Sequence, residues 1–329
     1  MGLGLSLTAV IALIVLVFAG VKGANLHLLF GAVIPYAAFA IFAIGVIYRV
    51  VKWGRSPVPF RIPTTGGQEN SFPWIKQSRF DNPSTTLGVI VRMLLEVFAF
   101  RSLFRLTKSE LKDGKLVHGS DKWLWLAGLA FHWSFLIILI RHFRFFTQNV
   151  PFVIQLFEEL DAFFQVGVPL LYLTDLFLVG AVTYLFLRRV IFPQIKYISL
   201  AADYFPLLLI LSIAVTGILM RYFIRVDIVG VKQLTMGLVA FSPVASESIG
   251  VIFYIHVFLV SVLFAYFPFS KLMHMGGVLL SPTRNLANNN RMARHVNPWD
   301  YPVHVHTYEE YENDFREKMK KAGIPVEKE

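Results

Sequence analysis

Apolar residues along this chain gather into long runs separated by polar connections, and the runs have the length of a bilayer crossing. A helix needs about 20 mostly apolar residues to cross the hydrocarbon core. Six segments meet that need: residues 5–21, 26–51, 123–146, 166–187, 204–224 and 249–269. The pattern predicts an all-α integral membrane protein with six transmembrane helices. The first run is short, and a cleaved signal sequence is its alternative. No positive cluster precedes it, so we read residues 1–25 as a spanning N-terminal anchor.

Two polar stretches interrupt this pattern. The first, about residues 52–121, is an insert with two parts. Residues 55–86 are rich in Pro, Gly, Ser and Asn and read as irregular surface. Residues 87–106 are apolar but carry Arg92, Glu96, Arg101 and Arg105 at near-helical spacing, which predicts an amphipathic helix in the membrane interface rather than a further span. The second polar stretch is the tail, 280–329. It contains Asn288-Asn289-Asn290 and ends in a charged segment, 308–321, that reads as a soluble helix, either solvated or a docking surface for a partner. Residues 26–279 form the main membrane domain, and no internal repeat is visible.

Composition agrees with the bilayer reading. The chain has 329 residues, 56% hydrophobic and 16% charged, with mean hydropathy +0.59; ordinary soluble domains carry about a quarter charged residues. A net charge of +10 would suggest nucleic acid in a soluble protein, but no nucleic-acid motif accompanies it. The charge follows topology instead. Arg55, Arg61, Lys76, Arg79, Arg92, Arg101, Arg105, Lys108, Lys112 and Lys115 occupy the insert, Arg188, Arg189 and Lys196 the fourth turn, and Lys271, Arg284, Arg291 and Arg294 the tail. All of these fall on one side, which the positive-inside rule makes cytoplasmic, and both termini with it. The loop after the third span carries Glu158, Glu159 and Asp161; Arg141 and Arg144 break the bias there. Cysteine is absent, which excludes disulfides, thiolate-ligated iron–sulfur clusters and covalent c-type haem in this chain.

The chemistry lies in histidines at the third and sixth spans. Histidine is costly in lipid and marks a functional candidate there. His132 and His142 are ten residues apart, His256 and His274 eighteen. On straight helices these spacings are roughly 15 Å and 27 Å, and Pro268 predicts a kink or an end before His274. Three crossings separate the two spans, so they run antiparallel. His142 then pairs with His256 near the outer face and His132 with His274 near the inner face, the arrangement that holds two haems. Arginines can neutralise haem propionates. Arg141, Arg144, Arg221 and Arg225 are candidates at the outer end, Lys271 and Arg284 at the inner, with interfacial snorkelling as the plain alternative for each. Asp175 is the one acid well inside a run. It reads either as a hydrogen-bonded structural acid or as a proton acceptor beside a quinol. His27 reads as interfacial and His118, His295, His304 and His306 as solvated; the His304-Val305-His306 pair lacks an evident third metal ligand.

The two histidine spacings and the helices between them resemble the di-haem gamma subunit of membrane nitrate reductases. Phe131-His132-Trp133-Ser134, Arg141-His142-Phe143-Arg144, Ser281-Pro282-Thr283-Arg284-Asn285, Leu94-Leu95-Glu96 and Phe100-Arg101-Ser102-Leu103-Phe104-Arg105 resemble the branch of that family found in sulfite-reductase-linked Dsr complexes. The resemblance covers roughly residues 26–300. It implies two non-covalent haem b groups, menaquinol as electron donor, a cytoplasmic iron–sulfur partner related to heterodisulfide reductases, and further subunits including a multihaem cytochrome c. One departure is visible. The nitrate reductase subunit has a lysine at its quinol site soon after the first ligand helix, whereas Glu158, Glu159 and Asp161 stand here. Quinol contacts are therefore not carried over. The expected function is electron exchange between quinol at the outer side and the cytoplasmic partner. A non-redox membrane anchor or transporter is the alternative, weakened by the lack of broken helices or an inverted repeat.

Overall fold

The computed structural model describes residues 2–56, 74, 76–164, 167, 169–289 and 304–328. Arg61, Arg291, Arg294, His295 and Val166 lie outside the described residues. Helices dominate. They are α1 (Gly2–Phe18), α2 (Ile34–Gly54), α3 (Thr86–Ala99), α4 (Arg101–Phe104), α5 (Lys122–His142), α6 (Phe152–Asp161), α7 (Leu173–Ile191), α8 (Pro193–Ile198), α9 (Ala201–Ile218), α10 (Ile228–Val239), α11 (Val251–Tyr266), α12 (His274–Leu280), α13 (Pro282–Asn285) and α14 (Tyr308–Lys321).

Among the described residues, five stretches are long and apolar enough to cross a membrane: Gly2–Gly23, Leu29–Gly54, Lys122–Phe145, Ala201–Phe223 and Val251–Phe269. The fourth segment of the sequence pattern is shorter than expected. Gly167 sits at φ +82 and Pro169 follows, so the chain turns before α7 starts at Leu173. The 19 residues of α7 also include Asp175, Arg188 and Arg189. It nonetheless packs between α5 and α9.

Packed neighbours run α5, α7, α9, α11, α2, with α1 in the groove between α9 and α11. One core gathers Val17, Val21, Phe30, Leu209, Leu234, Tyr254 and Leu259; a second joins Leu178, Val182 and Ile210 to Phe131, Phe135 and Ile138. Close approach depends on small residues. A Cβ on Gly45 would stand 2.7 Å from Pro268, and one on Gly2 2.9 Å from the Ala201 nitrogen. Outward faces remain apolar, with Leu5, Val15, Phe39 and Ile44 all exposed, the surface a lipid-embedded bundle presents.

The insert departs from the all-α expectation. Strands β1 (Thr107–Lys112) and β2 (Lys115–Ser120) form an antiparallel hairpin. Its turn, Asp113-Gly114, holds both residues at positive φ, the conformation that two-residue hairpin loops demand. Helix α3 is inverted relative to a soluble amphipathic helix. Leu87, Ile90, Leu94, Val97 and Phe98 are exposed, while Val89 and Arg92 are buried. This is the polarity expected of a helix with lipid outside and protein inside. It ends at Phe100, which adopts φ +50. The carbonyls of Phe98 and Ala99, freed by the helix end, accept hydrogen bonds from the indole nitrogens of Trp133 and Trp125. Two tryptophans of α5 thus fasten the end of α3 beside His132.

Two further features anchor polar segments. In the tail, Thr307 and Glu310 form a capping box at the start of α14. The buried Glu312 accepts from the backbone nitrogens of Glu327 and Lys328, folding the chain end back on its helix. In the insert, Asp81 pairs with Arg101 (2.9 Å) and Arg105 and accepts from Ser78. Burial alone would raise the Asp81 pKa, but the hydrogen bonds from Arg101, Arg105 and Ser78 outweigh it and hold the carboxyl at about 2. The folded pKa lies below the ordinary 3.8, so this anchor contributes fully above that value and is lost as pH falls through about 2. Hydrogen-exchange protection, relative to the intrinsic rate at each pH, should be flat across residues 76–106 from neutral pH to about pH 4 and then fall, whereas Asp81→Asn should be poorly protected throughout. A pH-independent difference between Ser78→Ala and the parent, with none for Asp81→Asn, would contradict this.

Candidate cofactor site: two histidine pairs

Helix α5 carries His132 and His142, ten residues apart on one continuous helix. The opposite ligand segment is not continuous. Helix α11 ends at Tyr266, tight turns occupy Phe267–Phe269 and Lys271–Met273, and His274 opens α12. Pro268 supplies the break. It lets eighteen residues on one side face ten on the other, which two straight helices would not do.

The structure brings His142 face to face with His256, ring centroids 6.2 Å apart and planes within 12°. At the other end of the bundle His132 meets His274 at 5.9 Å with planes at 90°. Each imidazole has its Nδ1 occupied. His132 Nδ1–H donates to the Gly128 carbonyl (2.7 Å), His142 to Ile138 (2.7 Å) and His274 to Lys271 (2.9 Å). The Thr216 hydroxyl lies within 2.9 and 2.9 Å of the Ser212 and Ile213 carbonyls, to which it donates, and therefore accepts from His256 Nδ1–H (2.9 Å). Occupying Nδ1 sets the tautomer and leaves Nε2 bare, as in metal-ligating histidine. Metal–imidazole bonds run to about 2 Å, so the centroid separations would leave room for one metal ion between the two rings of each pair. The donor set fits a six-coordinate haem iron at each end. Phe100 and Phe131 stand edge-on to His132, and Phe145 to His142, the apolar flanks a porphyrin requires.

The other sequence candidates divide sharply. Arg141 is 7% exposed and bridges two acids, Asp161 at 3.2 Å and Asp175 at 2.8 Å. Thr174 donates to Asp161 through both its backbone nitrogen and its hydroxyl, and Tyr222 donates its hydroxyl to Asp175. Asp175 is therefore ion-paired between helices. Arg144 pairs with Glu158 at 2.6 Å. Arg221 lies over the Tyr172 ring and donates to the Leu170 carbonyl, and Arg225 is exposed. Lys271 pairs with Asp203, and Arg284 with Glu96. Sequence spacing missed Thr216, whose hydroxyl lies across a helix interface from His256, and it missed that Arg49 and Arg92 bury an Nε atom without a hydrogen-bond partner among the described residues. His27 packs edge-on to Tyr254. His304 and His306 acquire a neighbour that spacing did not supply: the Glu310 carboxylate, one helical turn into α14, with all three exposed.

The Arg141 network should dominate the stability of its end of the bundle. Removing one partner of a buried charge pair leaves the other uncompensated and costs about 3–5 kcal/mol. Arg141→Gln, which strands two acids, should lower the unfolding midpoint in detergent more than Asp175→Asn, which strands none. Equal shifts for both would contradict the bridging role.

Residues 94–295, which include all four histidines, match the nitrate reductase gamma subunit family. The chain is 48% identical over 279 residues to the Hdr-like menaquinol oxidoreductase cytochrome b-like subunit of Archaeoglobus fulgidus, 83% of each chain being covered. It is 44% identical over 275 residues to the protein of the same description from Archaeoglobus profundus, with 81% of each covered. The chain thus belongs to the nitrate reductase gamma subunit family and is a homologue of the cytochrome b-like subunits of archaeal Hdr-like menaquinol oxidoreductases.

Proposed function

We propose that this protein is the di-haem b membrane subunit of a quinol-linked respiratory complex in sulfur-compound metabolism. It exchanges electrons between menaquinol at the outer face and a cytoplasmic, heterodisulfide-reductase-like iron–sulfur subunit. The observation that carries this reading is the pairing of four imidazoles at opposite ends of one bundle, each with Nδ1 engaged. The description of both relatives as menaquinol oxidoreductase subunits supports the quinol assignment. The motif resemblance supports a Dsr-type complex with a multihaem cytochrome c among its subunits. Haem b, bound at each pair, supplies a one-electron carrier at each of two depths.

We take α7 as the sixth span, shortened on its outer side, which returns both termini to the cytoplasm of a cell-membrane protein. Its three charges are consistent with this. Asp175 is neutralised by Arg141, while Arg188 and Arg189 sit in its last turn, Arg188 paired with Asp121. The His142–His256 pair then lies outward and the His132–His274 pair inward, beside the insert and α12–α13, where the iron–sulfur partner docks. A reduced-minus-oxidised spectrum of the purified chain should show b-type bands with two haems per polypeptide. His142→Ala or His256→Ala should remove the outer haem, His132→Ala or His274→Ala the inner. A spectrum without b-type bands would end this reading in favour of a non-redox anchor.

Quinol oxidation at the outer face requires a proton acceptor within reach. Asp175, the sequence candidate, is committed to the bundle: it accepts hydrogen bonds from Arg141 and Tyr222. Glu158 is better placed. Among the described residues its side chain pairs with Arg144, two residues beyond His142 and itself partly exposed. Glu158→Gln should slow haem reduction by a menaquinol analogue about 10–100-fold with both haems retained, while Asp175→Asn should change stability more than rate. The opposite ranking would return the role to Asp175.

A further inference from the structure

Resting on the two-haem reading, we infer that Arg49 of α2 and Arg92 of α3 bind the propionate carboxylates of the haem held by His132 and His274. The cations that the sequence offered for this task are already committed. Lys271 pairs with Asp203 and Arg284 with Glu96, and two further arginines of the insert, Arg101 and Arg105, pair with Asp81. Arg49 and Arg92 are the arginines near this end whose Nε is buried and lacks a hydrogen-bond partner among the described residues, and Arg92 is only 7% exposed. A guanidinium so placed is expensive unless an anion completes it.

The packing places both arginines at the level of the ligand segment. Along α2, a Cβ on Gly45 would touch Pro268, and Trp53 lies 3.3 Å from where a Cβ on Gly276 would stand. Arg49 is midway between Gly45 and Trp53, one turn from each, with its guanidinium over the Trp53 ring at 5.6 Å. It is therefore bracketed at the height of residues 268–276, which include His274. Helix α3 packs on α13, joined by the Glu96–Arg284 pair at 3.0 Å. Its end is tied to α5 by the Trp133 and Trp125 bonds, and Phe100 is edge-on to His132 at 4.9 Å. Arg92 lies one turn before Glu96 on this helix, facing inward. The two arginines thus approach the His274 segment from two different helices. Two guanidinium forks matched to two carboxylates satisfy both the buried cations and the anions.

An anionic lipid headgroup presents the same chemistry, and the test separates the two sources. Arg49→Gln, Arg92→Gln and the double variant are titrated redox-wise beside the parent, in lipid discs of phosphatidylcholine alone and of phosphatidylcholine with phosphatidylglycerol. Haem per polypeptide is counted in each, and His274→Ala and His142→Ala identify which midpoint is which. The expected result is two haems throughout, a lowered potential for the inner haem and an unmoved outer one. Loss of a compensating cation should shift the inner equilibrium about tenfold in the double variant, about 59 mV for one electron, with Arg→Lys partly restoring it. The shift should be the same in both discs. An unchanged inner potential with both haems bound would overturn the inference, as would a shift confined to the anionic discs, which assigns the arginines to lipid. Absence of haem from the parent protein would instead strike the two-haem reading itself.

Discussion

The hydrogen bond at one imidazole nitrogen fixes the ring's tautomer and orientation and so decides what the other nitrogen can meet, and each of the four paired histidines makes such a bond. Three of the four Nδ1 atoms donate to backbone carbonyls of their own chain segment: Gly128, Ile138 and Lys271. The fourth uses Thr216 of α9. The first three are local, because a helical carbonyl three or four residues back lies beneath the side chain. The fourth is tertiary and fixes α9 against α11 at the depth of His256. The facing pairs then set the separation of α5 from the α11–α12 segment. The remaining helices pack around that separation, with α7 and α9 bridging one side and α1 and α2 backing α11.

The two ends are built by different means. At the His142 end, one buried arginine, Arg141, gathers Asp161 from α6 and Asp175 from α7, and Tyr222 closes the group. The network ties α6 and α7 to α5 through Arg141 and buries Asp161 at the end of α6. Phe152, Val153, Leu156 and Leu160 of α6 remain exposed, as the lipid-facing side of an interfacial helix would be. At the His274 end, the insert performs the same task through the inverted helix α3, pinned by two indoles and by Asp81.

Much of this organisation was legible in the residues. Five of the six apolar runs became long apolar helices because run length alone meets the demand of the hydrocarbon core. The break at Pro268 followed from the missing N–H and the ring clash. The helical reading of residues 87–106 followed from the spacing of Arg92, Glu96, Arg101 and Arg105, but the structure divides that stretch at Phe100, where φ is +50. The hairpin at 107–120 was missed because its signal, Asp113-Gly114, lies among exposed residues with weak alternation. The short start of α7 was missed because apolar content continues past Gly167 and Pro169, and only local backbone geometry stops the helix there.

The sequence by itself determined the class, the ligand candidates and their antiparallel pairing, since these depend on spacing along the chain and on counting crossings. Tertiary structure alone decided which charges are spent and which are free. Asp175 is ion-paired because Arg141, 34 residues away in sequence, reaches it across α5 and α7. Lys271 and Arg284 are engaged because Asp203 and Glu96 lie on other helices. Arg49 and Arg92 are left with a buried Nε that has no hydrogen-bond partner among the described residues. A side chain's charge is local information, but its compensation depends on which helices come to lie beside it.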